Sequence, residues 1–112
     1  MKRFLLFLFS AGLLVAQSPA PYTATLSAAG TTPGWLSQAQ NHTLQVVVGS
    51  PATCTVRLEG SQDNVNWFDL SGTQSCTSST MFHVDGKPVI YARANLLTYS
   101  GGGTAQISYW GR

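Results

Sequence analysis

Thr53-Cys54-Thr55-Val56-Arg57-Leu58-Glu59, followed by Gly60-Ser61-Gln62-Asp63-Asn64, is the stretch whose reading decides the fold. Cys54, Val56 and Leu58 alternate with Thr53, Thr55, Arg57 and Glu59. A period of two places the first set on one face of a β-strand and the second on the other. The turn-forming cluster after Glu59 ends that strand, since Gly, Asp and Asn accept backbone dihedrals that other residues resist. The same grammar repeats on both sides. Tyr22–Leu26, Thr43–Val48, Trp67–Leu70, Met81–Val84, Val89–Leu96 and Thr104–Trp110 are β-branched or aromatic runs. Thr32-Pro33-Gly34, Gly49-Ser50-Pro51, Ser71-Gly72, Asp85-Gly86 and Gly101-Gly102-Gly103 separate them. No segment has a period of 3.6, and Trp35–Gln40 is at most one helical turn within a loop. About seven strands in one short chain predict an all-β fold: a small antiparallel two-sheet sandwich, jelly-roll or Ig-like.

The alternation also assigns faces. Ile90, Ala92, Ala94 and Leu96 are expected inward, with Tyr91, Arg93 and Asn95 outward. Ala105, Ile107 and Tyr109 are expected to oppose Gln106, Ser108 and Trp110. Leu44 to Val48 carries apolar residues on both faces, Leu44, Val46 and Val48 on one and Val47 on the other, as a central strand would.

The N-terminus reads differently. Lys2 and Arg3 precede the apolar run Phe4–Leu14, and polarity returns at Gln17-Ser18-Pro19. That run is shorter than the roughly 20 residues a spanning helix needs, so it predicts a secretory signal over residues 1–16, cleaved after Ala16. Residues 17–112 are then a single secreted domain, with no stable membrane insertion after cleavage. Without the signal, Arg57, Lys87, Arg93 and Arg112 balance Glu59, Asp63, Asp69 and Asp85, and the formal net charge is zero. A chain without a basic stripe is a poor match for nucleic acid. Low charge favours self-association, another protein or an uncharged glycan as partner. Charged residues make up 9% of the chain, which excludes a disordered polyelectrolyte or a coiled coil.

Export makes Cys54 and Cys76 an expected disulfide. Their numbers differ by 22, and closing such a loop is worth on the order of 3 kcal/mol in the chain-entropy picture. His42 and His83 stand in no metal-ligand spacing, and no cofactor motif is present. No serine sits in a nucleophile elbow and only four carboxylates remain, so a non-catalytic protein is expected.

Ser61-Gln62-Asp63-Asn64-Val65-Asn66-Trp67 resembles the Ser-x-Asp-Gly-x-x-Trp signature of discoidin-like (F5/8-type) β-sandwiches, with Asn64 at the glycine position. Tyr91-Ala92-Arg93 is similar to the Tyr-Val-Arg strand that follows in those modules. A closely similar pattern with a Gly-rich turn before the last strand occurs in small phage-virion proteins and related secreted bacterial proteins. The stretch from Arg93 to Thr104 looks like that ending. The resemblance covers residues 56–110 and implies a β-sandwich that binds carbohydrate or assembles. Candidate ligand contacts are Trp35, Trp67 and Trp110, with Asp63 and Arg93 as polar partners. Flat aromatic faces stack on sugar rings and also anchor protein interfaces. A structural reading stands beside this one, with Trp67 closing a hairpin and Arg93 paired to a carboxylate.

Overall fold

A computed structural model describes residues 20–49 and 52–112. The expected signal segment 1–16 lies outside the described residues. Among the described residues ten antiparallel strands form two sheets. The first sheet contains β1 (Tyr22–Leu26), β10 (Ala105–Gly111), β4 (His42–Val48) and β8 (Thr80–Val84), in that order. The second is built on β9 (Val89–Gly101) and β5 (Ala52–Ser61). Two short strands, β2 (Gly30–Thr31) and β3 (Trp35–Ala39), pair with β9 on one side. On the other side β6 (Phe68–Asp69) and β7 (Gln74–Ser75) pair with β5. The all-β two-sheet sandwich is therefore observed, with three more strands than the seven expected.

The core lies between the sheets and follows the alternation. Leu44 and Val46 from β4, Cys54, Val56 and Leu58 from β5, Ala92, Ala94 and Leu96 from β9, and Ala105, Ile107 and Tyr109 from β10 are all buried. Removing apolar surface from water supplies the main driving force here. Cys54 and Cys76 form the expected disulfide, with Cα atoms 4.9 Å apart. It staples the end of β7 to the central strand β5, reinforced by a Cys76 N–H bond to the Cys54 carbonyl at 2.9 Å.

Three expectations are corrected. Trp35–Gln40 is neither helical nor a loop: Pro33-Gly34 is a brief connection, and Trp35 and Leu36 pair with Ala92 and Tyr91. Gln38 adopts φ +52°, and the strand's register shifts there, which hid its period. Val89–Leu96 is the first part of a longer strand, because a bulge opposite Thr55 and Val56 carries β9 on to Gly101. Ile90 does not join the core and is 36% exposed. Half-buried Val89 lies against Gly60 instead, its Cγ1 2.6 Å from where a Cβ there would sit, so a larger residue at position 60 would have to displace the Val89 and Leu70 side chains.

Candidate functional site

The register places Arg57 beside Asn95, and Glu59 beside Arg93, on the outer face of the second sheet. Glu59 is only 2% exposed although it faces away from the core. Its carboxylate accepts from Arg57 Nε at 2.7 Å, Arg93 Nε at 2.8 Å and Asn95 Nδ2 at 3.0 Å. Burial by itself pushes a carboxyl upward, but these three donors and the Arg93 charge outweigh it and hold Glu59 below its ordinary value.

The 61–67 loop folds over this cluster. Ser61 Oγ accepts from the backbone N–H of Asn64 at 2.9 Å and donates to Asp63 Oδ1 at 3.0 Å. Asp63 Oδ1 accepts from the N–H groups of Asn66 at 2.8 Å and Val65 at 2.9 Å, and Asn66 Nδ2 donates to Oδ2 at 2.7 Å. These bonds hold the Asp63 carboxyl well below the usual carboxylate range. Asn64 takes φ +63°, a left-handed conformation that glycine or asparagine adopts most readily. The loop delivers Trp67 onto Arg93, with the guanidinium 4.3 Å from the ring centroid. A Cβ on Gly34 would lie 2.9 Å from the Trp67 ring and would overlap the Asn64 side-chain oxygen, so the close approach of loop and strand requires glycine there.

Five residues were expected to contact a ligand, and they do not converge. Trp67 and Arg93 meet. Asp63 shares their loop, but its oxygens serve the loop itself. Trp35 is 7% exposed and lies inside a stack of rings, which corrects the expectation of an exposed loop aromatic. It is 5.6 Å from Tyr22 and 5.7 Å from Tyr109, and Tyr109 is 5.8 Å from His42. Trp110 belongs to the opposite sheet, where Arg112 lies 5.6 Å over its ring.

Below that ring stack runs a hydrogen-bonded chain that the sequence does not announce. His42 Nε2 lies 2.8 Å from the Lys87 carbonyl, which can only accept, so this nitrogen carries a proton. In the neutral ring Nδ1 then accepts from the Tyr109 hydroxyl at 2.6 Å, which in turn takes the Ser37 proton at 2.6 Å. Burial raises the Tyr109 phenol above its ordinary value despite the Ser37 hydrogen bond, so it stays a donor. Glu59 and Asn95 are the other residues that the sequence left unassigned. Arg57 and Glu59 share a face, as do Arg93 and Asn95, but only the strand register brings the two pairs together.

The two outer faces differ in charge. That of the second sheet carries Arg57, Glu59 and Arg93. On the first sheet the outward positions are Thr23 and Thr25, Gln106, Ser108 and Trp110, Thr43, Gln45 and Val47, and Met81 and His83. None is a lysine, arginine, aspartate or glutamate. At one end of this face a cleft of about 330 Å³ is lined by Asn41, Thr43, His83, Asp85, Trp110 and Arg112, with His42 beneath. Thr43 Oγ1 and His83 Nδ1 are hydrogen-bonded at 2.9 Å.

No protein-family model matches the chain, and no curated protein matches it. Among solved structures it is similar to the SPBc2 prophage-derived protein YomS, at 12% identity and TM-score 0.53, covering 84% of this chain and 98% of that one. It also matches the Yersinia pseudotuberculosis-derived mitogen at 15% identity and TM-score 0.42, covering 80% of each chain. The likeness to the prophage protein establishes a shared small β-rich fold. Neither comparison supports a discoidin-like assignment for the 61–67 stretch.

Proposed function

We propose that this chain is a secreted, non-catalytic module that works by assembly or adhesion through its first sheet. The carrying observation is the outer face of that sheet, whose strand positions are rich in hydroxyl and amide groups and carry no lysine, arginine, aspartate or glutamate, with Asp85 and Arg112 standing only at one end. Away from that end such a face loses little on desolvation, because its strand positions bring no full charge out of water. Secretion is supported by the Cys54–Cys76 bond, which persists in oxidising compartments. No helix among the described residues is long and apolar enough to cross a membrane. The non-catalytic reading is supported by the histidines. Both His42 nitrogens are engaged inside the fold, and His83 Nδ1 is bonded to Thr43.

The test is the solution mass of the oxidised protein over a wide concentration range. Mass that rises with concentration is the expected result. One chain per particle at every concentration would overturn assembly.

A second reading, an uncharged-glycan binder, is favoured by one observation: Trp110 lies beside Thr43, Asn41 and Asp85 in a single cleft. An aromatic plane edged by hydrogen-bonding groups matches a sugar ring. Retention on a panel of insoluble polysaccharides, lost on Trp110→Ala with unchanged thermal stability, would select it. No retention across the panel would remove it.

A further inference from the structure

Among the described residues four strands make up the first sheet, and each is antiparallel to its neighbour. An even count has a geometric consequence. The two outermost strands, β1 and β8, run antiparallel to each other. A second copy placed alongside in the same orientation therefore presents its β1 to β8 in the antiparallel sense that the sheet already uses.

The two margins are also unguarded. Each is five residues long, Tyr-Thr-Ala-Thr-Leu and Thr-Met-Phe-His-Val, without a charged side chain or an internal proline. The registers of β1 with β10 and of β8 with β4 are regular, with no bulge to twist either margin away. Among the described residues no strand pairs with the far side of either. The second sheet is built otherwise. Its margins are the two-residue strands β2, β6 and β7 and the kinked β3, all of them devices that discourage edge pairing.

We infer that β8 of one copy pairs with β1 of the next, giving a head-to-tail row of copies with a continuous first sheet. The inference rests on the assembly reading above and adds its geometry. A contact between two different margins does not close on itself, so the row is open-ended or a ring. The outer face then runs along the whole row, with charge recurring only where each copy presents Asp85 and Arg112. The phenylalanine and valine of β8, Phe82 and Val84, face the core side, as do Ala24 and Leu26 of β1, so pairing also lines up apolar rows beneath the new seam.

The experiment uses three variants of the oxidised protein, each checked for an unchanged melting temperature. Thr25→Lys places a cation on β1, Met81→Lys places one on β8, and Gln45→Lys alters the centre of the face without touching a margin. All three positions are exposed. Should Met81→Lys fail to fold, His83→Lys replaces it; should Thr25→Lys fail, Thr23→Lys does. The expected result is that each margin variant alone has the mass of one chain, while an equimolar mixture gives particles of two chains. In the mixture one free β8 meets one free β1 and growth stops. Gln45→Lys is expected to assemble as the parent does. A margin variant that still pairs with itself would overturn the head-to-tail geometry. Dissociation by Gln45→Lys alone would also overturn it, and would leave assembly standing through the face. A parent protein that stays single at all concentrations would overturn both readings.

Discussion

Glu59 is the residue on which the outer face of the second sheet depends. Its side chain is 3% exposed, whereas those of Arg57 and Arg93 are 34% and 23% exposed. Replacing it by glutamine leaves three donors facing a neutral amide. The arginines keep part of their hydration, so the cost is on the order of 2 kcal/mol rather than the larger value of a fully buried pair. A drop of roughly 10 °C in Tm by scanning calorimetry is the expected outcome. The pH dependence has a definite sign. A carboxyl whose folded pKa is lowered contributes fully above its ordinary value of 4.5, and the contribution fades as pH falls through the folded value. Glu59→Gln should therefore flatten the acid side of the stability profile below that pH. Asp63 shifts in the same direction, so some acid sensitivity will remain in the variant. Tyr109→Phe tests the buried chain in the same way. It leaves His42 Nδ1 without its donor inside the core, at a cost of about 1–3 kcal/mol read from urea denaturation.

At the scale of elements, the 61–67 loop behaves as a clasp over β5 and β9. Trp67→Ala removes the ring from Arg93 and from the Gly34 approach, and thermal melting should show a loss of about 2 kcal/mol. Trp110→Ala, on the other sheet, should cost less than about 1 kcal/mol, because its ring is only partly buried. Reduction of Cys54–Cys76 should cost about 3 kcal/mol, measured as the shift in urea midpoint with and without reductant. Elements were legible in the sequence wherever their period was clean. Tyr22–Leu26 matches β1 end to end, and the inward sets of β5 and β10 were correctly assigned. Legibility failed where a backbone irregularity broke the period. Gln38 hid β3, and the bulge hid the second half of β9. Trp35 was misplaced for the same reason, since a tryptophan after Pro-Gly reads as a loop residue until its strand is seen. Trp67 and Arg93 were each legible as candidates, but their meeting was not. Nor was the convergence of Arg57, Arg93 and Asn95 on Glu59, which register alone creates.

Over the whole molecule, the sandwich divides its duties between two faces. Charge and a folded-back loop occupy the second sheet, while the strand positions on the outer face of the first carry no Lys, Arg, Asp or Glu and, among the described residues, no strand pairs with the far side of either margin. The disulfide lies on the second sheet and crosses no part of the first, so reduction should loosen the β5–β7 margin before it disturbs the outer face of β10 and β4. Hydrogen exchange on the reduced protein will resolve the order: amides of β7 and the following turn should exchange earlier than those of β4.

The pairing of β1 with β10 also sets how the domain yields under tension. Tyr22, at the start of β1, lies opposite Tyr109, near the end of β10, so a pull applied at these two points loads one ladder hydrogen bond after another. Strands loaded in this way peel at low force, whereas strands drawn past each other lengthwise share the load across every bond at once. Peeling would advance through the first sheet until the tension reached Cys54. There the covalent bridge withholds 22 residues from extension, roughly 75 Å of contour that the chain cannot release while the bond is intact. A domain tethered at Tyr22 and Tyr109 would therefore give way early, while the bridged segment stays closed until the bond itself is reduced.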